Sequence, residues 1–553
     1  MKTCLKKLSR WTTGLGLALG MALALLAGPL PAGAGEPGRG GYQLVGLGPG
    51  DLDLMTPRQV RAIAEADVVF CDAKTRDKLA SLVDFAGKRV IEGYNLAFPF
   101  YGQDCAQVPP EASQRWGKTC AEFKKLQADF TSLVRQAVGQ GQRVVMLSGG
   151  DPTIYGPGVW TLLALKDLEP TVVPGLSAFN AANAALKVGL GEIIITAPFQ
   201  KEGRADTLEK LSGHDQATLV IFMPRDLEAL LERLAKVNPP EMPLAVVANA
   251  GVRGQEKAIL GTLADIKGQL AGQEMKNSLV YLGRDLSRSQ YRPDQSPGQA
   301  GPGKFYLVGM GPGDPDLATL RALEVIKQAD LIFAGRSLQE RFAKELAGKR
   351  VLDGYHRLFP FFGKDCAKLS EQEKARERLS CEEYQRKRDE FMALTRQAMA
   401  AGQTVAMLDS GDPLVYGPCS WTVAALAGQN TEVVPGLSCF NAANAALAAG
   451  VTEGKTSHSV LLASGWTVEE MARHQATMVL FTMRTEFQKF VDALAKHYPP
   501  ETPVAIVFEA GFQKDEKVVR GTLGGITQQI SGQKLPFHHL LYVGDFLTNE
   551  KPF

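Results

Sequence analysis

Three short motifs carry the residues through which this chain could hold a ligand. Gly46-Leu-Gly-Pro-Gly-Asp51 follows one apolar stretch, and Gly149-Gly150-Asp151-Pro152 follows another. Val172-Val-Pro-Gly-Leu-Ser177 leads into an Ala- and Asn-rich run. Glycine at a strand end lets the backbone approach a ligand closely, and peptide N–H groups there can hold polar or anionic groups. A dinucleotide fingerprint is the obvious rival for the first motif, since Asp72 follows at about the right distance. Its third glycine falls where Asp51 stands, however, and Pro49 stiffens the loop, so the rival is set aside. Cysteines form a second group: Cys105 and Cys120 lie 15 residues apart, as do Cys366 and Cys381. No nearby Cys or His completes a four-ligand set in each half, so no metal site is expected.

Every one of these features occurs twice. Tyr42-Gln-Leu-Val-Gly-Leu-Gly-Pro-Gly-Asp51 returns as Phe305-Tyr-Leu-Val-Gly-Met-Gly-Pro-Gly-Asp314. Gly150-Asp-Pro-Thr-Ile-Tyr-Gly-Pro157 returns as Gly411-Asp-Pro-Leu-Val-Tyr-Gly-Pro418, and Val172–Ser177 returns as Val433–Ser438. The offset stays at about 261 to 263 residues, a period that signals duplicated domains and not a solenoid. Residues 287–304, rich in Pro, Gly, Ser and Gln, read as the linker between copies spanning 41–286 and 305–547.

Alternating strands and helices must position the motifs. Leu44–Leu47, Val68–Cys71 and Val144–Leu147 read as buried strands. Thr56 reads as a helix cap with Pro57 at the first helical position, where its missing N–H costs nothing. A helix is expected from Ser177 to Leu186. A second half begins near Thr196, with strands at Leu219–Met223, Leu244–Val247 and Leu279–Leu282 and a helix from Asp226. This pattern predicts an α/β protein with largely parallel sheets, two lobes per copy and sites at the carboxyl ends of strands.

Taken together, the GPGD loop, the later GDP loop, VPGLS and a Pro-led strand ending in Ala-Gly resemble the tetrapyrrole methylases. That family includes the uroporphyrinogen-III and precorrin C-methyltransferases. The resemblance implies a two-lobed subunit, S-adenosyl-L-methionine (SAM) folded in the cleft, and a tetrapyrrole in an adjacent trough. In the first copy it assigns Pro49, Gly149, Gly150, Asp151, Ile154, Ser177, Ala178, Met223 and Ala250 to the cofactor. In the second it assigns Pro312, Gly411, Asp412, Val415, Ser438, Cys439 and Ala510. There Ser410 replaces the first glycine, and Thr482 stands where methionine is expected, with Met483 one place on. The family's proton-carrying Asp after the second strand matches Asp72 in copy one and Gly335 in copy two. Asp72 reads equally well as a helix cap. The family's Lys beyond the third strand is Tyr94 here, and Tyr355 in copy two. Because such subunits are usually homodimers, the two copies are expected to pair within the chain.

Both copies depart from the family in an insertion before the GDP strand, holding Phe98-Pro-Phe-Tyr-Gly102 or Phe361-Phe-Gly363 and then the cysteine pair. The aromatic residues would either roof a flat macrocycle or pack the two copies together. His356, where copy one has Asn95, is a candidate axial ligand to a metal porphyrin or simply a structural residue.

Lys2, Lys6, Lys7 and Arg10 precede an apolar run from Leu15 to Leu30 and the small residues Ala32-Gly33-Ala34. This predicts a secretory signal peptide over 1–34, or an uncleaved anchor, and an exported body. In an exported chain the duplicated cysteine pairs predict one disulfide per insertion; Cys71, Cys419 and Cys439 read as buried thiols. With 61 basic and 59 acidic residues the formal charge is +2, and it falls to about −2 without the leader, which excludes a nucleic-acid partner on charge. Two functions follow: a SAM-dependent tetrapyrrole C-methyltransferase, or an exported, non-catalytic tetrapyrrole- or haem-binding protein on the same fold.

Overall fold

Helix signals in the sequence act where they stand. Thr56 caps the helix Pro57–Glu65 through a reciprocal box with Gln59. Ser177 and Ser438 cap the helices Ala178–Leu186 and Cys439–Leu447 through boxes closed by Asn180 and Asn441. Such a box satisfies two orphan N–H groups at once. The computed structural model describes residues 40–198, 204, 206–214, 216–292, 302–465, 467–481, 487–531 and 535–548. The predicted leader over 1–34, residues 293–301 of the predicted linker, Thr482 and Met483 lie outside the described residues.

Among the described residues each half of the chain builds ten strands. In the first these are β1 (Gly41–Gly46), β2 (Val68–Phe70), β3 (Arg89–Ile91), β4 (Arg143–Ser148), β5 (Thr171–Val173), β6 (Glu192–Thr196), β7 (Ala217–Phe222), β8 (Pro243–Ala248), β9 (Lys257–Thr262) and β10 (Ser278–Leu282). The second repeats them as β11 (Lys304–Gly309), β12 (Leu331–Phe333), β13 (Arg350–Leu352), β14 (Thr404–Asp409), β15 (Thr431–Val434), β16 (Val460–Ala463), β17 (Thr477–Phe481), β18 (Pro503–Phe508), β19 (Lys517–Thr522) and β20 (His539–Val543). The first five strands of each half form a parallel sheet, in the orders β3-β2-β4-β1-β5 and β13-β12-β14-β11-β15. The parallel expectation holds for these lobes.

The remaining strands join into one mixed sheet of ten, ordered β19-β18-β20-β17-β16-β6-β7-β10-β8-β9. Among the described residues only β6–β7 and β16–β17 pair parallel in it. A helix, Leu227–Ala235, links β7 to β8, while β8 returns directly as β9 and β10 inserts antiparallel between β7 and β8, so the sheet is mixed. The two halves meet at β6 and β16, which pair antiparallel with Ile194 opposite Leu461. The two copies therefore pair within one chain, and their second lobes share a core. One face of the shared sheet buries the helices Ala178–Leu186 and Cys439–Leu447, and the other buries a separate apolar layer that includes Leu230, Leu234, Phe490 and Leu494.

Each insertion is a disulfide-closed loop leading into a 20-residue helix. Cys105 bonds Cys120, and Cys366 bonds Cys381, at Cα separations of 5.5 and 5.6 Å. Cys120 and Cys381 are the first residues of the helices Cys120–Gly139 and Cys381–Ala400. In the first module the aromatic stretch packs inside its own module, which corrects the expectation that it joins the two copies. Phe98 meets Trp116 edge-on at 5.3 Å, Phe100 meets Phe123 at 5.7 Å and Tyr101 meets Trp160 at 5.2 Å. These rings follow the helix that the disulfide holds, so their ring partners lie within the first module. Of the free thiols, Cys71 and Cys419 are buried as expected, whereas Cys439 is only half-buried.

Closing a loop of this length contributes about 3 kcal/mol in the chain-entropy treatment. Alkylation with mass readout should therefore label Cys105, Cys120, Cys366 and Cys381 only after reduction, and reduction should lower the urea midpoint. Labelling of these four without reductant would contradict the pairing.

Candidate functional site

The first module gathers its glycine motifs at the carboxyl ends of β1, β4 and β5. Gly48 and Gly150 exchange backbone hydrogen bonds, with Gly150 N–H donating to Gly48 O at 2.8 Å. Gly175, from the VPGLS motif, fits beneath them so closely that a Cβ there would lie 2.1 Å from Gly150 O. Gln59, fully buried, donates through Nε2 to Gly46 O at 2.5 Å and Pro174 O at 2.9 Å, tying the first helix to both loops. Ala322 stands in its place in the second module and makes no such tie. Gly149 is exposed, and a Cβ there or at Gly150 would meet nothing within 4 Å.

Opposite these loops lie the ends of β7 and β8. Met223 follows β7 in the left-handed region at φ 53, a conformation uncommon for a side-chain-bearing residue. Ala250 follows β8, is buried, and belongs with Ile154 to one apolar cluster against which Ala178 and Met223 also pack. The two lobes are fastened beside this wall: Asp51 N–H donates to Gly251 O at 2.9 Å, and Arg253 N–H donates to Asp51 Oδ2 at 3.0 Å. Gly251 accepts Pro49 at the same junction, since a Cβ there would lie 3.1 Å from Pro49 Cγ. Thus Ile154, Ala178, Met223 and Ala250 come from distant segments to one apolar cluster, Pro49 meets the second lobe at Gly251, and Gly149 and Gly150 stand directly after β4.

The second module repeats the frame. Gly411 bridges Gly311, Asp314 N–H donates to Gly511 O at 3.1 Å, and Ser438 caps its helix. Pro312 stands in the loop between Gly311 and Gly313, and Val415 and Ala510 are buried in the shared apolar cluster with Cys439 packed against it. Burial pushes the Cys439 thiol up to about 12, so it stays protonated.

Asp151 and Asp412 do something their sequence assignment did not anticipate. Each turns its carboxylate into the other module. Asn441 Nδ2 donates to Asp151 Oδ2, and Asn180 Nδ2 donates to Asp412 Oδ2, both at 2.7 Å. The second oxygens are occupied locally: Asp151 Oδ1 accepts from Thr153 N–H and Oγ1–H, and Asp412 Oδ1 accepts from Leu414 N–H. Burial outweighs these bonds and raises the carboxyls to about 6 and about 7. What the two GDP loops leave facing the cleft is backbone and Gly149, with the carboxylates committed to the interface.

Asn180 and Asn441 were not singled out by sequence, although their repeat in Phe-Asn-Ala-Ala-Asn-Ala-Ala-Leu was visible. Each amide oxygen closes its own capping box while the amide nitrogen reaches across. Other reciprocal ties were equally hidden. Arg58 meets Asp314 at 3.1 Å and Asp316 at 2.7 Å, and Arg321 meets Asp51 at 3.1 Å and Asp53 at 2.8 Å. Tyr155, at φ 53, donates its hydroxyl to His458 O at 2.5 Å. Tyr416, at φ 56, donates to Glu192 Oε2 at 3.0 Å.

Asp72 caps the helix Ala73–Leu79 by accepting from Thr75 N–H at 2.8 Å, and Asn95 Nδ2 donates to its Oδ2 at 3.1 Å. The Thr75 backbone bond is the largest cause holding its carboxyl below the ordinary value, so Asp72 is ionised and a weak base at neutral pH. Tyr94 rests edge-on to Phe70 at 5.6 Å, and burial with Asp129 nearby pushes its phenol up. Asn95 brings these neighbours together at one sheet edge.

A family model for the tetrapyrrole (corrin/porphyrin) methylases matches residues 43–267 and 304–527. The cobalt-precorrin-4 C(11)-methyltransferase of Methanocaldococcus jannaschii is 30% identical over 257 residues, 44% of this chain and 88% of that protein. A siroheme synthase of Escherichia fergusonii is 32% identical over 257 residues, 44% of this chain and 50% of that protein. A solved uroporphyrin-III C-methyltransferase of Thermus thermophilus in complex with S-adenosylhomocysteine is 22% identical, covering 45% of this chain and 99% of that one at a TM-score of 0.32.

Two consequences can be measured. Gly175→Ala or Gly436→Ala forces a Cβ into backbone and should cost roughly 1–3 kcal/mol in urea unfolding; an unchanged midpoint would contradict the close approach. Asp151 and Asp412 have folded pKa values above those of the unfolded chain, so their contribution is fully present below about pH 4 and is lost as pH rises through about 6 and 7. The double variant Asp151→Asn, Asp412→Asn should therefore gain stability relative to the native chain between pH 4 and 7.5. A pH-independent difference would refute the assignment.

Proposed function

Because the chain belongs to the tetrapyrrole (corrin/porphyrin) methylases, we propose that its first module, within 41–286, is a SAM-dependent methyltransferase acting on a tetrapyrrole carbon. Two observations support this reading: open space at Gly149–Gly150 after β4, and the gathering of Ile154, Ala178, Met223 and Ala250 in one apolar cluster. Peptide groups at strand ends suit the amino-acid and ribose parts of the cofactor, and the apolar wall suits its adenine. SAM supplies the electrophilic methyl group when bound.

The chain's own residues would orient the acceptor ring. Asp72, ionised and steadied by Asn95, accepts hydrogen bonds from pyrrole N–H groups in preference to taking up the proton lost from carbon. Tyr94 keeps its phenol proton and can donate it to a ring substituent. Fixing the reacting carbon against the methyl group is the larger contribution expected from the protein.

A second reading, an exported tetrapyrrole-binding protein, is favoured by the two disulfides and by the commitment of Asp151 and Asp412 to the interface. Disulfides persist in extracytoplasmic compartments, and the leader over 1–34 would deliver the chain there. We assign the body, 41–286 and 305–547 on either side of a linker at 287–304, to that location.

Calorimetry with S-adenosylhomocysteine separates the two readings. Binding to the native chain is expected, and Gly149→Val should weaken it at least about tenfold, or 1.4 kcal/mol, by filling ligand space. Thermal stability should be nearly unchanged, because a Cβ at this exposed position meets no protein atom within 4 Å. Absence of S-adenosylhomocysteine binding alongside tight tetrapyrrole binding would favour the non-catalytic reading.

A further inference from the structure

The modules differ at the carboxyl edges of their parallel sheets. After β2, β3 and β4 the first module places Asp72, Asn95 and Ser148, with Gly158 beyond its GDP loop; the second has Gly335, His356, Asp409 and Cys419 in the corresponding places. These four differences meet in space. The imidazole of His356 lies directly against Gly335, where a Cβ would stand 3.0 Å from Nδ1 and Cε1 and 3.1 Å from Nε2. An aspartate there would collide with the ring. His356 therefore occupies the ground that the Asp72–Asn95 pair occupies in the first module.

Asp409 and Cys419 hold the backbone that carries this imidazole. Cys419 Sγ–H donates to His356 O at 3.0 Å, and Cys419 N–H donates to Asp409 Oδ2 at 2.9 Å. Burial and the neighbouring Asp409 push the thiol well up, so it is a fixed donor and not a nucleophile. The ring itself is left uncommitted. Nδ1 is buried with no hydrogen-bond partner, the nearest carboxylate being Asp353 at 3.8 Å. Among the described residues no group hydrogen-bonds to Nε2, and the side chain is 36% exposed. Burial, with Arg357 beside it and Asp353 opposing, holds the imidazole below its ordinary pKa and thus neutral at pH 7.

A carboxylate and a neutral imidazole select different rings. The first accepts from the N–H groups of a metal-free pyrrole ring; the second offers a lone pair to a metal at its centre. We propose that the second module takes a metal-bearing tetrapyrrole with His356 Nε2 as the axial ligand, while the first takes a metal-free ring. This rests on the reading of the chain as a tetrapyrrole protein. Ligation exchanges a metal–water bond for a metal–Nε2 bond; Nδ1 keeps its proton, and no electron moves.

The test is a titration of the full chain, followed by absorbance, with uroporphyrin and with iron(III) uroporphyrin. The iron complex should bind with the spectral change of nitrogen ligation. His356→Ala should abolish that change and weaken iron uroporphyrin at least about tenfold, and added imidazole should restore the spectrum. Gly335→Ala, which displaces the ring without removing it, should also weaken the iron complex and serves if His356→Ala does not fold. Metal-free uroporphyrin should bind all variants alike. Equal binding and spectra of the iron complex with native and His356→Ala protein would overturn the proposal. So would binding of the metal-free ring without the iron complex. If neither ring binds, the tetrapyrrole reading itself fails, and this proposal falls with it.

Discussion

Two crossed hydrogen bonds, Asp151 with Asn441 and Asp412 with Asn180, sit at the point on which the rest of the molecule turns. Each lies at the junction of a parallel sheet, a capped helix and the opposite module. A buried carboxyl is costly unless its oxygens find donors, and here the donor comes from the other half of the chain. Neither module alone can satisfy its own GDP loop. Duplication within one chain makes this supply permanent, because the second copy is always present at the seam where β6 meets β16.

The same dependence explains the ion pairs around it. Arg58 and Arg321 each grip the opposite GPGD segment, so the loops that line each cleft are braced from across the interface. Asp51 and Asp314 meanwhile fasten first lobe to second within a module. With the frame held from three directions, side chains at the strand ends can diverge without loss of the fold. That is where the modules do diverge: Gln59 against Ala322, Asp72 against Gly335, Asn95 against His356. The two clefts share geometry and differ in chemistry.

Much of this was legible from local patterns. Thr56 with Pro57 and Gln59 forms the predicted helix start because capping is a property of a few adjacent residues. The matched cysteine spacing led to the disulfides because loop closure depends on short separations. Other features were not legible. The mixed direction of the second-lobe sheet depends on which strands become neighbours, and apolar runs such as Leu219–Met223 and Leu279–Leu282 look alike in either direction. That Phe100 of the aromatic stretch packs on the helix Cys120–Gly139 through Phe123 depends on a contact between segments, which no local pattern states.

The sequence by itself determined the duplication, the family and the placing of glycines at strand ends, because these are written in short motifs repeated at one offset. Only the tertiary structure decided what several of those residues do. Asp151 and Asn441 stand 290 residues apart, and no local rule joins them. Gly335 reads as a lost acid until the His356 ring is found lying on it. The reason is the same in both cases. A residue's type states which bonds it can make, and its partners are chosen by segments far along the chain.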